Sequence, residues 1–264
     1  MLNPRFESGI FLFCIDVERL FVLIYLYEGG ISMIFWITLA LCVAVTVFFT
    51  IRRTVKVNYS DLAIKVATSS LFVATGVAAI ISNPDVNLVY GLMLVMGGVF
   101  GVLGDIFIEL KWIQKENSDT FLTFGFVTFM IQHVLLVAAV FVHYPMTLVN
   151  ALVCFTAPVA VLVFSSLAVK ITKMDMGKFK VIANTYGALA SMTFSVGFMT
   201  MTNHGMELSQ ILFFVGGVLF FVSDLVLSQI FFTKNGCTRL FVVLNHITYY
   251  GAQILIAASL FFVK

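Results

Sequence analysis

The sequence predicts an all-α, polytopic membrane protein with eight transmembrane helices in one bundle. Hydrophobic residues make up 61% of the chain and charged residues only 11%, whereas soluble domains carry about 25% charged residues. The apolar residues also gather in separate runs, each close to the ~20 residues that a helix needs to cross a bilayer. The membrane is therefore the solvent for most of the side chains.

The eight predicted helices follow one another with short connections, as expected for antiparallel neighbours in a bundle. The second half repeats features of the first in helices that would run in the same direction, which is typical of two parallel four-helix repeats. Glycine-rich helices also resemble one another without common ancestry, so both interpretations stay open. The predicted transmembrane domain is 33–264, and its helices are 33–51, 62–82, 87–108, 120–142, 146–169, 179–201, 208–232 and 240–263.

Residues 1–32 have two alternative interpretations, an interfacial segment or a non-native extension. The run Gly9–Tyr27 is apolar at both ends but has three charged residues in its middle, which suits an amphipathic helix at the membrane surface. Alternatively, codons for Glu28-Gly29-Gly30 can form a ribosome-binding sequence, and translation would then start at Met33.

Basic residues predict the orientation of the bundle. Each loop after an odd-numbered predicted helix carries Lys or Arg, whereas the three intervening loops carry none. Because basic loops stay in the cytoplasm, we expect both termini outside, in a membrane that we take to be a bacterial cell membrane. The basic residues form no long run, so nothing indicates nucleic-acid binding.

Two aspartates lie inside apolar helices in matching contexts. Asp105 comes eight residues after Gly97, the first glycine of a Gly-Gly pair, and Asp224 follows Gly216 in the same way. An Asp at the centre of a membrane helix costs about 2.5–3.5 kcal/mol on insertion scales, so its repeated use indicates function. Small residues let helices approach closely, and we expect the two acids to share one site in the cytoplasmic third of the bundle. The alternative for Asp105 is a carboxylate that reaches water at the helix end.

Polar residues on the predicted sixth and eighth helices point to the same interior. A polar face on a membrane helix turns away from lipid; taken alone it indicates hydrogen bonds between helices, and beside two buried acids it predicts a cavity lining. On the eighth helix this face consists of Asn245, His246, Tyr249, Tyr250 and Gln253, and on the sixth of Asn184, Ala188, Ser191 and Ser195.

Two buried carboxyl groups predict hydrolysis by acid–base catalysis. An apolar setting and a second acid nearby keep one carboxyl group protonated, and the ionised partner can activate water. This division of labour suits an acetal-like or vinyl-ether bond that breaks through an oxocarbenium ion. The sequence has no metal-ligand spacing, and we expect no metal and no other cofactor.

Four short patterns resemble the YhhN / lysoplasmalogenase family of eight-helix membrane proteins. They are Gly104-Asp105, His133, Ser223-Asp224 and Thr248-Tyr249-Tyr250-Gly251-Ala252-Gln253, and the resemblance covers about 33–264. It implies hydrolysis of the vinyl ether of lysoplasmalogens to a fatty aldehyde and a glycerophospho-headgroup, with Asp105 and Asp224 as the catalytic residues.

The chain departs from the family's pattern in the residue after Lys65, which is Val66 instead of Pro, and at Leu136, where the family has Tyr. His246 has no counterpart in that pattern. These departures bear on the substrate more than on the fold.

The implied partner is a lysophospholipid among the membrane lipids. We expect its headgroup near the cytoplasmic surface, where Lys65 or the loop lysines meet the phosphate. Tyr249, Tyr250 and Gln253 would orient the substrate or water. The other predicted substrate contacts are His133, Asn184, Tyr186, Ser223 and His246.

Two other classes of protein fit the same residues. A proton-coupled transporter of small molecules or lipids also uses intramembrane acids and parallel repeats, and a structural protein would use the acids only to join helices. Geometry separates the three. Carboxyl groups about 5–9 Å apart at one cavity favour hydrolysis, a polar path through the bundle favours transport, and acids with separate partners favour a structural role.

Overall fold

The computed structural model describes residues 32–53 and 57–264 of the chain, and the predictions for the N-terminal extension lie outside this part. The described residues form nine α-helices, with short 3₁₀ turns before α4 and α7 and after α9. The helices are α1 (Ser32–Arg52), α2 (Tyr59–Ser82), α3 (Leu88–Ile113), α4 (Ser118–His143), α5 (Leu148–Cys154), α6 (Thr156–Thr172), α7 (Lys180–Asn203), α8 (Leu208–Phe232) and α9 (Arg239–Ser259).

All eight predicted apolar runs are helical, which confirms the all-α membrane fold. Within the described ranges, seven segments are long and apolar enough to cross a membrane. The α7 helix is not among them. Its 24 residues would span about 36 Å at 1.5 Å per residue, but its many Ser, Thr and Asn side chains make it less apolar than the others.

The predicted fifth helix is interrupted, which corrects the expectation of one continuous helix over 146–169. Pro158 has no N–H group, and its ring crowds the carbonyl four residues earlier. That carbonyl belongs to Cys154, the last residue of α5. The Phe155 N–H donates to the Leu152 oxygen, three residues back, at 3.1 Å. Because Leu148–Ser165 still qualifies as one membrane-crossing segment, the interruption is a local kink.

Six helices form a ring around the interior. Their contacts run in the order α2–α3–α4–α7–α8–α9, and α9 closes the ring on α2. The α6 helix packs outside the ring on α7, and α1 lies against the end of the chain, where the Phe35 ring stacks on Phe261 with centroids 4.1 Å apart. The order α2–α3–α4 is matched by α7–α8–α9, which is the arrangement expected of two parallel repeats.

Two glycines of α3 are needed for the close packing of the ring. A Cβ atom on Gly104 would lie 2.6 Å from the Phe129 ring of α4. At Gly101 it would lie 2.7 Å from the side-chain oxygen of Gln132 and 2.8 Å from the side-chain nitrogen of Gln253. These glycines allow α4 and α9 to bring aromatic and amide side chains against the backbone of α3.

Candidate active site

A cavity bordered by three of the predicted site residues lies between α6, α7 and α8. It has a volume of about 240 Å³, and Asp224 is the one carboxylate among the described residues that line it. Asn184 and Tyr186 of α7 also line it. The rest of the wall is mainly apolar, with Phe126, Val161, Phe164, Val169, Met174, Met176, Phe221, Leu225, Leu227, Phe231 and Phe232.

Two residues that line this cavity have buried polar atoms without a hydrogen-bond partner among the described residues, Asp224 Oδ2 and Tyr186 Oη. The same holds for Nε2 of His133, which neighbours both residues. His133 is fully buried, and its Nδ1 lies 2.9 Å from Thr193 Oγ1. Its Nε2 lies 3.9 Å from Asp224 Oδ2, which is too long for a hydrogen bond. Buried polar groups are normally paired, so this cluster suits a water molecule or a substrate oxygen.

Asp105, by contrast, has a full set of partners. Its Oδ2 accepts hydrogen bonds from the Ser69 hydroxyl and from the Tyr249 hydroxyl, the latter at 2.8 Å. Its Oδ1 lies 3.1 Å from Lys65 Nζ. The same ammonium group lies 3.1 Å from Glu109 Oε1, and Arg53 Nη2 spans both oxygens of Glu109 at 3.0 and 3.1 Å. Asp105 therefore belongs to a buried network with two cations and two carboxylates.

The polar face of α9 gathers around Asp105 and not around the Asp224 cavity. The Gln253 amide donates to the Tyr249 oxygen at 3.1 Å and pairs reciprocally with the Gln132 amide at 2.9 and 3.3 Å. The Tyr250 hydroxyl lies 3.2 Å from Ser69 Oγ. These three predicted residues are therefore neighbours of Asp105.

Aromatic rings connect the two acids. The Phe220 ring meets the Tyr249 ring edge to face at 5.5 Å and the His133 ring at 4.5 Å. No hydrogen bond or ion pair joins Asp105 to Asp224 in the part of the chain that the structure describes. Asp105 has partners of its own, and Asp224 is the acid that borders the apolar cavity, so the contacts support a single-acid site more strongly than a shared one.

The remaining predicted site residues have local partners. Ser223 accepts hydrogen bonds from the Asn245 amide at its hydroxyl (2.9 Å) and its carbonyl (3.0 Å), which joins α8 to α9. His246 Nδ1 lies 2.7 Å from the Val242 carbonyl oxygen, and its ring borders a second cavity near Arg53. Among the described residues, no group of three or more His, Cys, Asp or Glu side chains is arranged to hold a metal.

Sequence reasoning did not single out Ser69, Glu109 and Arg53, which complete the network around Asp105. A signal was available for the first two. Ser69 comes four residues after Lys65, and Glu109 four residues after Asp105, so each pair shares a helix face. Arg53 belongs to a basic segment, and no pattern around it predicts that its side chain would turn inward.

Comparison with known proteins identifies the family of the chain. No curated protein and no solved structure matches the chain. The model of the YhhN family matches residues 61–260, which run from the first turn of α2 to the 3₁₀ turn after α9 and include Lys65, Asp105, His133, Tyr186 and Asp224. The chain belongs to the YhhN family.

Proposed function

We propose that the protein is a membrane hydrolase that cleaves the vinyl ether bond of a lysoplasmalogen or a related lysolipid. The products are a fatty aldehyde and a glycerophospho-headgroup. The observation that carries the proposal is the apolar cavity bordered by Asp224 and Tyr186, each with a buried oxygen that has no partner among the described residues, and with the unpartnered His133 Nε2 beside Asp224. The resemblance to lysoplasmalogenases supports the same activity.

The position of the cavity suits a single-chain lipid. The α6 helix packs on α7, and the cavity lies in the gap between α6 and α8, where Phe164 and Leu225 are exposed on the outer surface. An acyl chain can therefore enter sideways from the membrane. The loop between α6 and α7 contributes Met174 and Met176 to the cavity wall. It also carries lysines that attract a phosphate headgroup.

The chemistry that we propose uses Asp224 twice. The protonated carboxyl group, which an apolar wall without a nearby cation favours, donates its proton to the vinyl carbon farther from the ether oxygen. An oxocarbenium ion forms, and a water held between Asp224 and His133 attacks its carbon while Asp224 takes back a proton. The hemiacetal then breaks into aldehyde and alcohol, with its hydroxyl proton moving to the leaving oxygen.

In this proposal His133 and Tyr186 orient the water and the ether oxygen. Asp105 holds Tyr249 and the α2–α3 contact in place and does not touch the substrate. The two-acid mechanism predicted from the sequence remains an alternative, because it needs only that Asp105 exchange its partners when the substrate binds.

The test is aldehyde release by the purified full-length chain in detergent. A lysoplasmalogen is compared with the matching alkyl-ether lysolipid, which has no vinyl bond to protonate. We expect aldehyde from the vinyl ether only, no aldehyde with Asp224→Asn, and normal release with Asp119→Asn, a control that changes an exposed acid. Aldehyde release that survives Asp224→Asn in a folded protein would contradict the mechanism, and no release by the unmodified chain would contradict the substrate.

A transporter would need a polar path through the ring. From Arg53 to Gln132 the described polar side chains form a continuous chain, but the cavity next to Gln253 is about 20 Å³ and is lined otherwise by apolar residues and glycines such as Phe72, Leu94 and Leu260. The polar chain thus ends against an apolar wall, which favours the hydrolase over transport.

A further inference from the structure

A second, smaller cavity lies at the basic end of the bundle, the end that carries the loops after α1, α3, α6 and α8. It has a volume of about 30 Å³ and is bordered by Arg53, Lys65, Glu109, Trp112, Asn245 and His246. Leu227 and Phe231 of α8 line both this cavity and the Asp224 cavity. The two cavities are therefore neighbours with different chemistry, one apolar and one cationic.

Arg53 gives the small cavity its character. Its side chain is 5% exposed, and only Nη2 is used in the contact with Glu109. The N–H groups on Nε and Nη1 are buried and have no hydrogen-bond acceptor among the described residues. A guanidinium group binds oxyanions through several N–H groups at once, so the unused Nε and Nη1 donors of Arg53 can bind a further acceptor.

The charges around the cavity favour an anion. The two buried carboxylates, Glu109 and Asp105, are balanced by Arg53 and Lys65. A third cation lies beside them, because Lys111 Nζ sits 4.1 Å from the centre of the Trp112 ring and 4.7 Å from that of Phe231. Lys111 also interacts with Asp119, but that carboxylate is paired with Lys178. The local charge balance is therefore positive, although an incoming anion would meet the Glu109 carboxylate.

We propose that this cavity, centred on Arg53, binds a phosphate group. Its volume suits about one or two water molecules or phosphate oxygens, so the rest of the phosphate group would remain in a mouth that we place at Trp112 and Cys237, two partly exposed lining residues. The chemistry is shared by two sources, a lipid headgroup and a soluble phosphate ester, because the cavity opens where the helices meet the basic loops. The proposal does not depend on hydrolysis at Asp224.

The experiment uses Trp112 as the reporter. In a Trp36→Phe background Trp112 is the remaining tryptophan, and its fluorescence is followed in nanodiscs. In phosphatidylcholine discs the protein is titrated with inorganic phosphate at constant ionic strength, with chloride as the reference anion. In a second arm the discs contain phosphatidic acid and no phosphate is added. A saturable response in the first arm identifies a soluble phosphate, and a response in the second arm alone identifies a headgroup.

The decisive variant is Arg53→Lys. It keeps a positive charge for Glu109 but removes the Nε and Nη1 donors, so we expect the apparent Kd for phosphate to rise at least about tenfold. Arg52→Lys is the matched control, since Arg52 is exposed and donates to Ser60, and its Kd should not change. If Arg53→Lys does not fold, Cys237→Phe fills the cavity mouth and should abolish the response. No saturable response in either arm, or equal curves for Arg53→Lys and its parent, would overturn the proposal.

Discussion

The two intramembrane acids differ in their partners, and this difference predicts that replacing Asp105 destabilises the protein far more than replacing Asp224. Asp105→Asn removes the partner of Lys65 at 3.1 Å and weakens two hydrogen bonds from Ser69 and Tyr249. Removing one partner of a buried ion pair costs about 3–5 kcal/mol. Because Lys65 keeps its contact with Glu109, we expect the lower end of that range, a loss of about 3 kcal/mol in the free energy of unfolding.

Asp224→Asn should leave stability almost unchanged. Asp224 Oδ2 has no hydrogen-bond partner in the described structure, and His133 Nε2 lies 3.9 Å from it, so the amide breaks no close ion pair. We expect a change within about 1 kcal/mol. The exposed control Asp119→Asn breaks a surface pair with Lys178 and should change stability by about 0.5 kcal/mol or less.

The assay is equilibrium unfolding of the full chain in mixed micelles by increasing the fraction of a denaturing detergent, followed by helical circular dichroism. Aldehyde release is measured on the same preparations. The reasoning predicts a stable but inactive Asp224→Asn and a destabilised Asp105→Asn that keeps part of its activity. Equal losses of stability in the two variants would refute the assignment of the ion network to Asp105 alone.

Two further substitutions test the packing and the site. Gly101→Ala forces a Cβ to within 2.7 Å of Gln132 and 2.8 Å of Gln253, so we expect overpacking and loss of the amide pair to cost about 2–4 kcal/mol in thermal or detergent unfolding. Gly187→Ala, whose Cβ would meet a neighbour at 3.5 Å, should cost nothing, and equal effects would contradict the packing argument. Tyr186→Phe removes a buried hydroxyl without a partner, so stability should hold while kcat for aldehyde release falls about tenfold or more; unchanged kcat would remove Tyr186 from the site.

The helices were predictable because apolar length dominates membrane sequences. The run at 208–232 and the helix Leu208–Phe232 coincide, since its ends are set where polar loops begin. The break between α5 and α6 was harder to foresee, because it depends on how one proline, Pro158, is accommodated by the turn before it. The low apolarity of α7 was visible in its sequence, yet only its position in the ring explains why it tolerates polar residues.

The sequence predicted which polar residues are interior but not how they are grouped. Helical spacing identified Asp105, Asp224 and the polar face of α9 as interior groups. Helical spacing could not predict which acid forms an ion pair with Lys65, because that depends on the lateral order of the helices. The ring places α2 beside α3 and α9, so Lys65 and Tyr249 both reach Asp105.

The two halves of the ring explain why the acids differ. Each acid lies on the third helix of its half, eight residues after the first glycine of a pair, and each faces a side chain from the second helix. In the first half that side chain is Lys65, which makes Asp105 part of an ion pair. In the second half Tyr186 borders the cavity at Asp224, so no ammonium group compensates this acid. If the halves are repeats, the first copy of the ancestral arrangement joins helices through the ion pair of Asp105 and Lys65. Among the described residues, the second copy has no lysine beside Asp224, and this suits a carboxyl group that exchanges a proton with a ligand in the cavity.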